Sequence, residues 1–446
     1  MPRATPGPGH PFPGSNYAGR VPDNAAALAH AADLAEFVAQ SPSSFHAAAT
    51  VAQRLTDAGF TALGETAPWQ VTPGARQLVV RDGAVIAWIV PAAATADTPL
   101  RIFGAHSDSP ALKLKPKPTT GRFGWLQAGV EIYGGPLLNS WLDRELRLAG
   151  RLALDDGTEV LAATGPLLRL PQLAIHLDRE ANDHLALNKQ TQTQPVWGLG
   201  EAASADLLAE VASTAGVDAA RIRGYDLVTA DAARGTVFGK DHAFFAAGRL
   251  DDLASVHAGL VALESAGTDA PHIAMLAVFD HEEVGSGSRS GAAGPFLADV
   301  IERIQLGLGA DRDQQLRALA ASWCASSDVG HSVHPNYPEK HDPVVQPLLG
   351  SGPILKINAN QRYATDAPGA AAWHGWCVAA GVASQEFVSN NAVPCGSTIG
   401  PITATRLGIR TIDVGIPILS MHSARELAGT ADLHALSRVA EAFFRA

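Results

Sequence analysis

Cysteine is scarce in this chain: three in 446 residues, at Cys324, Cys377 and Cys395. The number is odd and no two are spaced as CxxC, which excludes a disulfide framework and a thiolate zinc site. Such usage suits a reducing, cytoplasmic setting. Basic charge is also short, with 33 Lys and Arg against 44 Asp and Glu, a net −11. A nucleic-acid or anionic-membrane partner needs a basic face, so neither is expected. No apolar run reaches bilayer length, and the first residues hold no secretory apolar core. Residues 1–20, rich in Pro and Gly, read instead as a loose tail. The rest, 46% hydrophobic and 17% charged, has the length and composition of a two-domain globular chain.

Residues 22–40 carry apolar side chains at helical spacing, and a second helix runs from a Ser43 or Ser44 cap to about Ala58, stopped by Gly59. Residues 77–91 alternate around Asp82-Gly83 as a hairpin, and 100–104 is a short apolar strand ending near His106. Between Leu112 and Phe244 the texture turns β-rich, with strands expected over 125–133, 147–154 and 159–170 and a helix over 203–215. Within it, 113–118 is expected not to be a central strand, because Pro116 and Pro118 have no N–H to give. Beyond Phe245 helices and strands alternate again: a helix from about Arg249 to Ser265, a strand over 273–279, helices over 295–306 and 312–324, strands over 353–358 and 410–415, and a last helix over 431–446. The expected architecture is an α/β domain (21–111 and 245–446) interrupted by a β-rich insert (112–244).

The organising stretch is Phe279-Asp280-His281-Glu282-Glu283-Val284-Gly285. An apolar strand delivers two adjacent carboxylates, where burial is costly unless charge is paired or bound to metal. Neighbours on extended chain point opposite ways, so the two glutamates suit different tasks, one holding a metal and the other facing a reacting water. An acidic surface loop is the plainer alternative. Other elements end the same way: His106 after one strand, His422 beyond another, Asp251 at a helix start and Asp328 in a Gly/Ser-rich loop. Open α/β sheets form sites at the carboxyl ends of their strands. Two His, several carboxylates and no Cys suit zinc, manganese or cobalt, and two ions sharing one carboxylate would use the whole set. Asp108, two residues from His106, is placed to take its other ring N–H. Ser397 lacks a GxSxG context, Cys395 reads as a packed thiol, Asp252 as a helix cap, and His281 and His334 as supporting or packing residues.

Nine stretches, SPSSFHA (41–47), GAHSDSP (104–110), LAIHL (173–177), GRLDDL (248–253), FDHEEVGS (279–286), SSDVGHSVHPNY (326–337), KINANQRYATD (356–366), PCGSTIGPI (394–402) and SMHSARE (420–426), resemble in order those of the M18 metalloaminopeptidases, the aspartyl aminopeptidase family. The resemblance implies a two-metal catalytic α/β domain with an inserted β-rich dimerisation and assembly domain. It implies two divalent ions per subunit, zinc in the first place and cobalt or manganese otherwise. Asp251 would bridge them, His106 and Asp328 would complete one shell, and Glu283 and His422 the other. Glu282 would be the general base acting on a bridging water, with Asp108 behind His106. Substrate contacts would come from His331, Lys356 and Tyr363, and from His176 of a neighbouring subunit.

The expected activity is removal of the N-terminal residue from peptides with a free amine, with Asp or Glu as the preference the family name suggests. The expected assembly is a homo-oligomeric shell, a dodecamer by resemblance, in which the insert pairs its edge strands with another chain. Two alternatives stand beside this reading: a related two-metal deacylase, which needs a blocked amine, and a non-catalytic scaffold, which would lack ligands or base.

Overall fold

The structure is a computed structural model that describes residues 24–446; the expected tail over 1–20 and the helix start at Pro22 lie outside the described residues. The first helix is described from Asn24 to Gln40. Nine strands form the main sheet in the order Thr61–Ala62, Arg76–Arg81, Ala84–Ile89, Ile273–Phe279, Leu100–His106, Trp323–Ser327, Arg410–Gly415, Ile354–Lys356, Gln385–Phe387. The four central strands, from Ile273–Phe279 to Arg410–Gly415, run parallel, so their carboxyl ends open on one edge. Parallel strands are apolar on both faces because both are covered. Phe103, Leu276 and Val278 pack under the helices Asn24–Gln40, Leu250–Ser265 and Thr430–Arg445, while Ile102, Met275 and Phe279 face Phe296, Val300 and Ile399 on the other side.

One of these central strands escapes the sequence pattern. The helix expected over 312–324 ends at Ala321, and Trp323–Ser327 is a strand between Leu100–His106 and Arg410–Gly415. Its Trp-Cys-Ala-Ser-Ser sequence has no β-branched residue, and its place in the sheet is set by neighbours on both sides, a tertiary influence that outweighs local propensity.

Seven strands from Ala111 to Asp231 form a second sheet with its own core, including Leu112, Val130, Leu146, Leu148 and Leu227. Ile222–Asp231 pairs with both Ala111–Arg122 and Glu145–Leu154, which closes the sheet into a barrel. Closure leaves Glu159–Ala163, which pairs only with Glu145–Leu154, with a free edge. Residues 113–118 lie within the strand Ala111–Arg122, in which Lys113 pairs on both sides. Its ladder with Trp125–Tyr133 is irregular between Leu114 and Thr119, where Pro116 and Pro118 fall, so the missing N–H groups are absorbed by a bulge. The LAIHL stretch is no strand; 175–177 is a turn in an exposed loop. After Asp231 the chain leaves the barrel: Thr236–Phe238 and Phe244–Ala247 join Glu426–Gly429, Pro417–Leu419 and Gly330–His331 in a five-stranded sheet.

Four helices meet around buried histidines. His30 lies edge-on to His257 at 4.7 Å and 5.7 Å from His434. His257 bonds Asp33 at 2.8 Å, and Arg54 bridges Asp33 to Glu264. Burial, helped by the neighbouring rings, lowers the pKa of His30 from 6.5 to about 3, and burial also lowers that of His257. His30 is neutral when folded, whereas the unfolded chain protonates it below 6.5. The unfolded state then binds more protons, so stability falls as pH drops through this window. At pH 5 the His30 contribution is about 2 kcal/mol. Urea unfolding at pH 7 and pH 5 should show a His30→Leu chain losing less stability on acidification than wild type; equal losses would show that His30 does not set the acid sensitivity.

Candidate metal centre

The parallel strands bring their ends together. His106 closes its strand opposite Phe279, and the Ser107 N–H donates to the Phe279 carbonyl at 2.8 Å. Past Phe279 the backbone reverses through a left-handed His281 and a single turn, Glu282–Val284, ended by Gly285 at φ +93°. Asp328 follows the Trp323–Ser327 strand, and Asp251 stands at the mouth of the Leu250–Ser265 helix in non-helical backbone. His422 lies three residues beyond Pro417–Leu419, a short strand that intervenes after Arg410–Gly415.

Two groups of ligand-type atoms result, His106/Asp251/Asp328 and Asp251/Glu283/His422, each within 4.8 Å. The two oxygens of Asp251 divide between them. Oδ1 is 3.1 Å from His106 Nε2, and Oδ2 is 3.4 Å from His422 Nε2. His106 Nε2 also lies 3.9 Å from Asp328, and His422 Nε2 lies 3.4 Å from Glu283.

The ring tautomers carry the argument further. His106 Nδ1 faces the Asp108 carbonyl at 3.0 Å, and His422 Nδ1 faces the Gly135 carbonyl at 3.0 Å. A carbonyl only accepts, so each Nδ1 carries a hydrogen and each Nε2 is turned toward carboxylates. A proton or a metal ion must stand between each Nε2 and the carboxylate it faces. Asp251 Oδ1 and Glu283 Oε1 are, besides, buried without a hydrogen-bond partner. Burial, then the nearby Asp251 charge, drives Glu283 well above the usual carboxylate range. Against the cost of burial, Asp108, Asp251 and Asp328 pull the His106 pKa well up. The centre is short of positive charge, and the donors present fit divalent zinc, which binds His and carboxylate alike.

Glu282 belongs to neither group and faces the same cavity. Burial, with Asp328, Asp251 and Asp108 close by, raises its pKa to about 7, within the range useful to a general base. Asp108 has wider duties than the motif suggests. Its carboxylate is 3.4 Å from His106 Nδ1, and it accepts the backbone N–H groups of Glu282 at 3.0 Å and Glu283 at 3.1 Å, and the Tyr133 hydroxyl at 2.7 Å.

The cavity beside the centre has a volume of about 580 Å³, and His331, Lys356 and Tyr363 line it together with Phe387 and Met421. Lys356 is fully buried, donating to the Val329 carbonyl at 2.8 Å and lying 3.5 Å from Asp328. Its ammonium stands over the Tyr363 ring at 5.4 Å. His176 is not part of this wall; it sits on the exposed loop of the insert.

The sequence reading gave no supporting role to Glu426, Tyr133 or Gly135, and gave Asp252 only that of a cap. Buried Glu426 accepts the backbone N–H of Asp251 at 3.0 Å and of His422 at 2.7 Å. Asp252 accepts the His106 N–H at 3.2 Å, a tie between strand and helix where only a cap was expected. Tyr133 and Gly135 come from the insert. Glu426 stood inside the SMHSARE motif, so proximity to His422 was its one available signal.

Comparisons with known proteins identify the family. A profile of the aminopeptidase I zinc metalloproteases (M18) matches residues 37–444. The chain is 51% identical over 422 residues to a probable M18 family aminopeptidase 2 of Streptomyces coelicolor, covering 93% of this chain and 98% of that one. A similarly named protein of Mycobacterium tuberculosis is 44% identical over 94% of this chain and 99% of its own. Among solved structures, a chain in the Ape4 and Nbr1 complex superposes with a TM-score of 0.92 at 34% identity, covering 96% of this chain and 87% of that one. The mApe1 dodecamer of Saccharomyces cerevisiae gives 0.81 at 29% identity, covering 93% and 96%. With a family profile over most of its length and relatives this similar, the chain belongs to the M18 family of zinc metalloproteases, a family of metal-dependent aminopeptidases.

Proposed function

We propose that this chain removes N-terminal residues from peptides using two divalent ions, zinc in the first place, with Asp251 shared between them. The shared carboxylate carries the reading: one buried Asp presents an oxygen to each of two His-carboxylate groups. His106 and Asp328 would hold one ion, and Glu283 and His422 the other. Bound zinc supplies Lewis-acid polarisation of the scissile carbonyl and lowers the pKa of water. Glu282 takes a proton from the attacking water and gives it to the leaving amine, so the base ends each cycle as it began. Asp108 fixes the turn that bears Glu282 through two backbone hydrogen bonds.

An acidic N-terminal residue is the preferred substrate in this proposal. Apart from the four carboxylates of the centre, the charged or ionisable side chains along the cavity are basic or neutral: His422 of the centre, and His331, His334, Lys340, His341, Lys356, Tyr363 and Cys395. Lys356 already serves Asp328 and Val329, so its role is to bias the wall potential more than to donate a new bond. The expected outcome is hydrolysis of aminoacyl chromogenic substrates with free amines, Asp and Glu fastest, abolished by chelation and restored by zinc, cobalt or manganese. Turnover of the N-acetylated forms alone would favour a deacylase, and turnover of neither would favour the scaffold.

Assembly is the second part of the proposal. The insert over 112–244 serves it, in a cytoplasmic homo-oligomer that we take to be a dodecamer like the yeast relative. Leu173, Ile175 and Leu177 are 56%, 45% and 75% exposed around His176, an apolar surface that calls for cover. His176 would enter a neighbour's cavity and orient the substrate carbonyl. Glu282→Gln should keep full metal content and lose about 10²–10⁴-fold in kcat; loss of one metal equivalent instead would exchange the roles of Glu282 and Glu283. Reassembly of Glu282→Gln with an inactive His176→Ala chain should recover part of the activity. Mixed assemblies, shown by mass to contain both chains, that stay inactive would refute sharing.

A further inference from the structure

The inserted barrel does more at the centre than its lack of ligand side chains suggests. Its strand Trp125–Tyr133 begins the ladder Ala111↔Tyr133, so Tyr133 leaves the barrel where the chain first enters it, next to Asp108. Gly134 follows at φ +68°, and a Cβ there would lie 3.2 Å from the Glu283 Cβ, so a side chain would be strained and would crowd the glutamate turn. Gly135 then offers its carbonyl to His422 Nδ1. The Leu137 N–H donates to the His422 carbonyl at 2.9 Å, and Ser140 Oγ accepts the Ala424 N–H at 2.9 Å. Residues 133–140 thus touch both the turn bearing the two glutamates and the loop bearing His422.

We propose that Tyr133 is a positioning residue through which the insert sets the glutamate turn, a role that rests on the metalloaminopeptidase reading above. Asp108 is buried, and its carboxylate is shared among three donors: Glu282 N, Glu283 N and the Tyr133 hydroxyl. Both backbone bonds depend on the direction in which that carboxylate points. The phenol is the donor that comes from another sheet, so it fixes the carboxylate relative to the barrel. Removing it leaves Oδ2 with one donor and frees the carboxylate to turn, and displacement of a reacting group by about 1 Å costs about 10²-fold in rate. The ring itself packs near His281, at 6.4 Å between centroids, so Tyr133→Phe keeps the packing and deletes one oxygen.

The test is Tyr133→Phe in the full, assembled chain, read two ways. Steady-state rates on an aminoacyl chromogenic substrate should show kcat down about 10- to 100-fold with KM within about threefold. Zinc competition against a colorimetric chelator should show affinity weaker by about tenfold or more, the size of effect that supporting partners of metal ligands have. A purely structural role would lower Tm and leave both readouts alone. The proposal is overturned if kcat and zinc affinity stay within twofold of wild type, or if the variant fails to fold, since the hydroxyl would then be needed for stability first. Should the wild-type chain cleave no aminoacyl substrate, the functional reading fails, and the zinc titration still decides whether Tyr133 positions the centre.

Discussion

Everything at the centre turns on the carboxylate of Asp251. It is nearly fully buried, it faces an imidazole nitrogen on each side, and Oδ1 has no hydrogen-bond partner of its own. A buried anion is unfavourable in isolation, and here the two imidazoles, His106 first, outweigh burial and hold the carboxyl well below the usual carboxylate range. The fold accepts it because three other segments secure it: Glu426 holds its backbone N–H, the Ser109 hydroxyl donates to its carbonyl at 2.6 Å, and Asp252 beside it is tied to the His106 strand. Positive charge on both sides, carried by protonated imidazoles or by bound metal, keeps this carboxylate ionised.

The main sheet makes this constraint achievable. Parallel central strands end on one edge, and the five ligand-type side chains come from five separate stretches of chain. No single loop carries more than one of them, so the centre forms only when the sheet is complete. The barrel adds a second condition. Its segment 133–140 bonds the Asp108 carboxylate and the His422 ring, which links the placement of an inserted domain to the geometry of a site it does not otherwise enter.

Much of this was legible in the residues. Strongly apolar runs such as 273–279 and Ala-rich amphipathic helices announced themselves by periodicity, and the change of texture at Leu112 marked the start of the insert. The five ligand-type residues drew notice by their places at or beyond strand ends, a helix start and a Gly/Ser-rich loop, and their pairing into two shells came from the resemblance to M18 motifs. What stayed hidden depended on contacts distant in sequence. Trp323–Ser327 has weak strand propensity and is a strand because of its neighbours. The proline-bearing 113–118 stretch enters the barrel through a bulge that no local rule announces. Glu426 and Tyr133 look like ordinary residues until the fold sets them against Asp251 and Asp108. Barrel closure, too, is a property of pairing between strands about a hundred residues apart.

The central claim is that one carboxylate serves two ions. Diffraction from zinc-saturated crystals, recorded on both sides of the zinc absorption edge, tests it most directly. The account predicts two anomalous peaks per chain flanking Asp251, one among His106, Asp251 and Asp328 and the other among Asp251, Glu283 and His422. A single peak at full zinc saturation, or two peaks that do not share Asp251, would contradict it.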